Sequence, residues 1–591
     1  MTAMFKYIPY YIQVVFLVFI IAACSEPYTK EAGFSSFAKV YGYVKYFHPS
    51  DEASKINWDQ FAVYGAQEIN KCSNKQELIA CLNKIFRPIA PSVKFTNAKI
   101  NGLVNQITPS NLDSSYRKTF WQHKSLQFYT KLAARSYKSK RYNRVKNDTL
   151  LFNRVLEFGE VTNCELTKGV FCNIPLVLYC NDRSTYPASD KKIFELFIKQ
   201  IEGLSQDAKD LEVRIANAII VYSTIKHFYP YFDELKDLKW DDKLNIALIQ
   251  SLRDTSISMH CKTISEFTSH LQDGHIEYFN VENQVYSNPP IHLDYIEDKF
   301  IVTDILDEFT QFKLGDQITH INNIPILDYF DERKKYISAS TEQSHIYKTN
   351  RTLLSGNYNS IVTLKIEGKD NSVRRNLGGY YATSGQPMHY QIDSSIYFVN
   401  LNTIEMDSLI ELLPSLTEAP NIIFDLRFYP NKNSDILEYL IHKKISPKWM
   451  RIAEITHPDQ QQPISFSQYG WALEPKKPTL SEKNIFFLSD VSGQSYTESV
   501  LGYVKSHNLG TIVGQPTAGI NGNVIDFSLV GNQYTGRFTG MKVVNHDQSK
   551  FFGIGIEPDV YVHKTIKGIK EKRDEYLERA VELIKMDYRK Q

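Results

Sequence analysis

The stretch Gly493-Gln494-Ser495-Tyr496-Thr497-Glu498-Ser499 sets a hydroxyl and a carboxyl three residues apart. It follows the apolar run NIFFLSDVS and opens SYTESVLGYVKSH, whose apolar residues have helical spacing. Ser495 is therefore predicted at a strand-to-helix junction. Two roles fit that place. The first N–H groups of a helix have no intrahelical acceptor and can stabilise an oxyanion, which suits a nucleophile. The same serine can be a plain N-cap, with Glu498 completing a Ser-x-x-Glu capping box, and the local sequence favours this reading. The stretch begins like a nucleophile elbow but has Thr497 where that motif has its second glycine. A nucleophilic serine also needs a base, and the chain holds 15 histidines, so proximity in space must decide.

An internal repeat narrows the choice. Residues 40–59 read VYGYVKYFHPSDEASKINWD and residues 221–241 read VYSTIKHFYPYFDELKDLKWD. Lys45, Phe47, Pro49, Trp58 and Asp59 match Lys226, Phe228, Pro230, Trp240 and Asp241. Each copy reads as an amphipathic helix ended near the proline, a short loop and a second helix. The copies then diverge. The second reaches QDGHIEYFN, with His275, whereas the first reaches PIAPSVKFTN, with no histidine. If one copy is catalytic, it is the second.

Further elements must hold these residues. Alternating runs such as VTNCELTKGVFCNIPLVLYC between about 110 and 190 predict strands. Trp121 and His123 in that region could contact a ligand, but packing is the favoured reading. From about 288 to 372 the pattern is a compact β-rich module with a helix near Ile346 to Leu354. From about 390, SIYFVNL, NIIFDLR, NIFFLS and GTIVG read as short strands alternating with helices such as SDILEYLIHKK, an α/β pattern. The last helix, KRDEYLERAVELIKM, is predicted to pack on that core.

The chain of 591 residues is long enough for three to five domains, and its 42% apolar content supports large cores. With 68 basic and 66 acidic residues it lacks the basic surplus of a nucleic-acid binder. Lys6 precedes the apolar run VVFLVFIIAA, which is too short to span a bilayer and fits the core of a secretory signal. Ile21-Ala22-Ala23-Cys24 resembles the bacterial lipobox, which implies lipidation of Cys24. Six cysteines remain, and Cys72/Cys81 and Cys164/Cys172 are plausible local disulfides among fifteen connectivities. No CxxC pair, HExxH or calcium-loop pattern occurs, so no metal is expected.

Four segments in order resemble the tail-specific (C-terminal processing) serine peptidase family, including its tricorn-like branch. They are LQDGHIEYF, the PDZ-like LGDQI…INN from Leu314 to Asn323, IIFDLRFYPN, and the block from SYTES through IVGQPTAGINGN to GIGIEPDVYV. With the terminal KTIKGIKEKRDEYLERAVEL they cover roughly 210–585. The resemblance implies a multidomain α/β and β fold with a ClpP/crotonase-like peptidase core, a PDZ-like module, and N-terminal helical and β-rich domains. The expected division is a signal peptide at 1–24, a helical copy at 25–105, a β-rich domain at 106–200, a second helical copy at 201–285, a PDZ-like domain at 286–374 and the peptidase core at 375–591.

Carried over by position, the family's nucleophile falls on Ser495 and its histidine on His275. Tyr496 would donate one oxyanion N–H. The second should come from the turn after Asp425-Leu426-Arg427, which reads Phe428-Tyr429-Pro430-Asn431 instead of being glycine-rich. Pro430 has no N–H, which leaves Asn431 as the candidate. The processing branch's catalytic lysine would fall on Ile520, and no lysine lies between Lys505 and Lys542, which favours His275 as base. The tricorn-like branch orients its histidine with a serine and a glutamate, but Gly274 and Phe552 stand there. The orienting group is left open, between Asp273 beside the histidine and Glu498 as a polar partner of the serine.

The function implied is an exported, lipid-anchored serine endopeptidase of the bacterial envelope, on the outer membrane and facing the periplasm or the surface. It would act on peptides or envelope proteins through an acyl-enzyme, with no metal or organic cofactor and no nucleic acid. The alternative is a catalytically inactive member that binds peptides. A third reading is an esterase, or a glycan-binding protein that uses the Trp121 region.

Overall fold

The computed structural model describes residues 28–99, 106–127, 136–142, 148–280, 286–306, 311–378, 387–460, 465–532 and 534–588. Cys24 and the apolar run before it lie outside these residues.

The two repeat copies have the expected local order. Helices Lys30–Phe47 and Leu211–Phe228 end just before Pro49 and Pro230, and helices Trp58–Asn70 and Trp240–Arg253 begin at the matched tryptophans. The long helices are not amphipathic in the way the repeat suggests. Both are buried almost all round, because each copy covers the other's outer face. Gly42 makes this approach feasible, since a Cβ there would lie 2.6 Å from Nε2 of His227. Ser223 on the facing helix donates to the Ala38 carbonyl at 2.9 Å.

The strand-rich middle stretch divides between two sheets: Val161–Thr167 and Val170–Pro175 pair with each other and with Lys94–Thr96, and its other strands join a sheet shared with the last third of the chain. Strand Arg117–Lys124 pairs with Leu178–Cys180 and Lys138–Tyr142, and also with Met450–Ile455 from the last third of the chain. Met450–Ile455 in turn pairs with Ser465–Tyr469 and Lys542–Val543. Trp121 and His123 are packing residues. His123 is buried, its ring nitrogens bonded to Ser139 Oγ and the Tyr46 carbonyl, and Trp121 stacks on it.

The six cysteines after Cys24 are thiols. This corrects the expected disulfides. Cys164 and Cys172 face each other across a strand pair with sulfurs 3.3 Å apart, beyond the roughly 2 Å of a disulfide. Cys72 Sγ donates to the Glu68 carbonyl at 3.7 Å.

Residues 291–374 form an antiparallel sheet in the order Ile291–Ile296, Lys299–Ile305, Gln317–Ile321, Ile361–Ile366, Lys369–Arg374. Ile291–Ile296 is an edge strand, and helix Glu342–Leu353 packs against it. The last layer is a six-stranded sheet in the order His389–Asp393, Ile396–Asn400, Asn421–Asp425, Asn484–Ser489, Thr511–Gly514, Val560–Tyr561. Its first pair is antiparallel and the rest are parallel. Helix Glu575–Tyr588 covers one face through Tyr576, Ala580 and Ile584, and helices Met406–Glu418 and Tyr496–His507 cover the other. SDILEYLIHKK is not the expected helix. Only Ser434–Tyr439 coils, as a 3-10 turn, because Ile445 and Leu473 further on exchange backbone hydrogen bonds and hold the chain extended.

At the end of the central strand Asn421–Asp425, the buried Arg427 guanidinium bonds to both Asp425 and Asp574. This fork ties the C-terminal helix to the turn at 425–431.

Candidate active site

Ser495 lies between strand Asn484–Ser489 and helix Tyr496–His507, at φ 56° and ψ −108°. A serine rarely takes this conformation, and it persists only where neighbours fix it. The fixing is visible. The Ser495 N–H donates to Glu498 Oε2 at 3.0 Å and to the Ile520 carbonyl at 3.0 Å. Ala518 N–H donates to the Gly493 carbonyl at 2.9 Å, and Ser492 Oγ accepts from Phe428 N–H at 3.0 Å.

Glu498 is buried and takes four donors. Its Oε1 accepts from Thr517 Oγ1 at 2.7 Å and Gly519 N at 2.6 Å, and its Oε2 accepts from Ser495 N at 3.0 Å and Ile520 N at 3.2 Å. The Thr517 hydroxyl donates here and accepts from the Ile556 N–H at 2.8 Å. Burial pushes the carboxyl up to about 8, against these donors, which favour the charged acceptor. Glu498 therefore holds the backbone of Ser495 and closes one half of the capping box. It does not orient His275.

Ser495 opens onto a cleft of about 370 Å³ whose walls include Tyr429, Tyr469, Trp471 and Tyr496, with Met450 and Met541. The Tyr429 phenol is raised by burial, and a hydrogen bond with Ser495 works against that rise. Among the described residues, no acceptor takes the N–H of Tyr496 or of Tyr429. Asn431 does not fit the role expected of it. Its N–H is donated to the Leu401 carbonyl at 3.0 Å and its side chain to the Thr403 carbonyl at 3.2 Å.

His275 is buried in the turn before strand Glu277–Asn280. Its Nδ1 meets Thr539 Oγ1 at 2.8 Å. The same hydroxyl donates to Asp273 Oδ1 at 2.8 Å, so Nδ1 carries the proton and Nε2 is left with its lone pair. Asp273 is fully buried and also accepts from the N–H groups of His275 at 2.9 Å and Thr539 at 2.7 Å. Burial lowers the imidazole pKa to about 4, with Asp273 pulling it up and Lys348 and Arg537 pushing it down.

No hydrogen bond joins His275 to Ser495 among the described residues. They are linked through Ile520. A Cβ on Gly274 would lie 2.6 Å from Ile520 Cγ2, and the Ile520 carbonyl holds the Ser495 N–H. Glycine at 274 is thus required by contact with the residue that stands where a lysine base would be. Phe552 is buried and stacked on Tyr231, so it offers the histidine no polar partner. Thr539 was not found from the sequence, because its only signal is a contact 264 residues away.

Three outcomes follow. Glu498→Gln turns an amide N–H toward four donors, of which the Ser495 N–H alone has a second acceptor among the described residues. It should cost about 3 kcal/mol, read as a lower Tm, and should slow chemical labelling of Ser495. A variant as stable and reactive as wild type would contradict the role given to Glu498. If His275 is the base, it acts as the neutral ring, and with its folded pKa near 4 the reactivity of Ser495 should persist as pH falls through 6 and be half lost near pH 4. Thr539→Val should lower that reactivity about 100-fold. A midpoint near 6.5, or an unaffected Val variant, would count against the relay.

Residues 395–562 match the model of Peptidase family S41. No curated protein sequence matches the chain. Among solved structures, mature CPAF complexed with lactacystin aligns with a TM-score of 0.53 and 15% identity, over 63% of this chain and 98% of that one. Mature CPAF alone gives 0.51 and 14%, over 62% and 95%. At these identities the likeness is one of fold. The match spans the strands around Ser495 and the helix that Ser495 begins. Over residues 395–562 the chain is similar to Peptidase family S41, and this similarity supports a serine-type peptidase acting on peptide or protein substrates.

Proposed function

We propose that the chain is an exported, lipid-anchored serine endopeptidase with Ser495 as nucleophile and His275 as general base. The observation that carries this reading is Ser495 itself, held in a strained conformation at a helix N-terminus and open to an aromatic cleft. Its hydroxyl attacks the scissile carbonyl while His275 Nε2 takes the proton. The oxyanion is met by the N–H groups of Tyr496 and Tyr429, neither of which has an acceptor among the described residues. His275 returns the proton to the leaving amine, and water then releases the acyl group from Ser495. The hydrogen bond between the ring and the serine forms on substrate binding in this reading, since catalytic hydrogen bonds often tighten only then.

The unit at 286–374 is read as a PDZ-like module that captures an extended peptide. Its edge strand Ile291–Ile296 lies beside helix Glu342–Leu353, the arrangement that strand addition uses. A cleft of about 260 Å³ between them is also lined by Phe428 and Ser492, next to the turn that faces Ser495. The core at 375–591 is read as ClpP/crotonase-like and the site as tricorn-like, on the histidine base and the absent lysine.

A second reading, a peptide-binding protein without catalysis, draws on the missing hydrogen bond between Ser495 and His275. A fluorophosphonate probe separates the two. Intact mass should show one adduct on wild type, none on Ser495→Ala and a much slower one on His275→Ala. Folded wild type that stays unlabelled, beside a control hydrolase that reacts, would favour the binding protein.

The anchor is assigned to Cys24 on the lipobox-like sequence. Cys24→Ser should move the protein from the membrane fraction to the soluble one. Unchanged fractionation and mass would remove the lipid from the account.

A further inference from the structure

Lys348 has partners that a structural lysine does not need. It lies on helix Glu342–Leu353, and its Nζ donates to the Gly274 carbonyl at 2.8 Å and to the Ser338 carbonyl at 3.0 Å. No carboxylate among the described residues lies within ion-pair distance of it. Burial lowers its pKa, with Glu277 and Asp273 acting in the other direction. A buried ammonium held only by carbonyls is costly, and an apolar side chain of similar length would fill the same space more cheaply. The cost is placed at one point of the catalytic frame, since Gly274 separates Asp273 from His275.

The same segment grips the site elsewhere. Ser338 Oγ accepts the Asp273 N–H at 2.9 Å. Ser340 Oγ and Thr341 Oγ1 donate to the Ala518 carbonyl at 2.9 and 3.0 Å, and Gln343 donates to the Thr517 carbonyl at 3.3 Å. Residues 338–348 therefore touch both the turn that carries His275 and the loop whose N–H groups bind Glu498.

We propose that Lys348 is a positioning residue for the His275 base: by holding the Gly274 carbonyl it fixes the turn that carries the imidazole. The proposal rests on the reading of His275 as general base. The charged groups that act on the imidazole are Asp273 on its own turn, Lys348 on the helix and Arg537 on strand Tyr534–Thr539, and the neutral Thr539 hydroxyl holds Nδ1. Lys348 and Arg537 oppose protonation of the ring and Asp273 favours it. Neutralising position 348 should thus raise the imidazole pKa as well as loosen the turn, and only the second effect is expected of a merely structural residue.

The test uses the full chain with Lys348→Met, Lys348→Gln and Lys348→Arg. Two quantities are measured: the rate of fluorophosphonate labelling against pH, and the titration of His275 by NMR of histidine-labelled protein, assigned by its absence in His275→Asn. Lys348→Met should label 10- to 100-fold more slowly, about the loss that a misplaced catalytic group gives. Its acid midpoint and the His275 titration should both move up in pH, with no fall in Tm. Lys348→Arg should recover most of the rate and leave the midpoint in place. If the Met variant does not fold, the Gln variant carries the same comparison. Wild type that labels, with variants unchanged in rate and titration, would overturn the proposal and leave the serine mechanism standing. Wild type that does not label would overturn the mechanism, and with it the role of Lys348 as a positioning residue for the base, whatever the His275 titration shows.

Discussion

The Glu498 carboxylate is the contact on which the rest of the site depends. One buried side chain accepts from Ser495, Thr517, Gly519 and Ile520, and so joins the first turn of a helix to a loop some twenty residues further on. Ser495 has no freedom to relax from its positive φ while its own N–H is held by that carboxylate and by the Ile520 carbonyl. A buried carboxyl group with four donors is an expensive object to build. Its value is that it fixes the backbone of Ser495 while leaving the next N–H, that of Tyr496, without an acceptor.

From this contact the frame extends in two directions. Ile520 packs on Gly274 and so meets the turn that carries His275, while Ser492 and Arg427 secure the turn that carries Tyr429. Ile520 is also where a processing peptidase would have its lysine. Here the position supplies a carbonyl and an apolar wall, and in the proposed mechanism proton transfer falls to an imidazole kept neutral by burial. The Asp273–Thr539 pair does for His275 what a carboxylate does in direct contact elsewhere, one hydroxyl removed, and so fixes the tautomer.

The sequence made parts of this legible and hid others for physical reasons. The strand-to-helix place of Ser495, the capping box with Glu498, the repeat and the alternating last layer were all readable, because each is set by local periodicity or by residues a few positions apart. The amphipathic reading of the repeat helices did not survive, since mutual burial of the two copies is not written in either one. The helix expected over SDILEYLIHKK was overridden by pairing with a distant segment. Thr539, Tyr429 and Lys348 are ordinary residues in the chain and acquire roles only through contacts made across it. Asn431 was named because Pro430 lacks an N–H, but its own N–H is already spent on Leu401, which no local pattern indicates.

The most direct test of the central claim is to catch the covalent intermediate. Wild type would be mixed with an activated peptide ester, quenched in acid within milliseconds to seconds, and weighed intact and after digestion. The account predicts an added acyl mass on the peptide that contains Ser495, absent from Ser495→Ala, which would also release no product. Turnover that continues in Ser495→Ala, or product from wild type with the acyl mass on another residue, would contradict it.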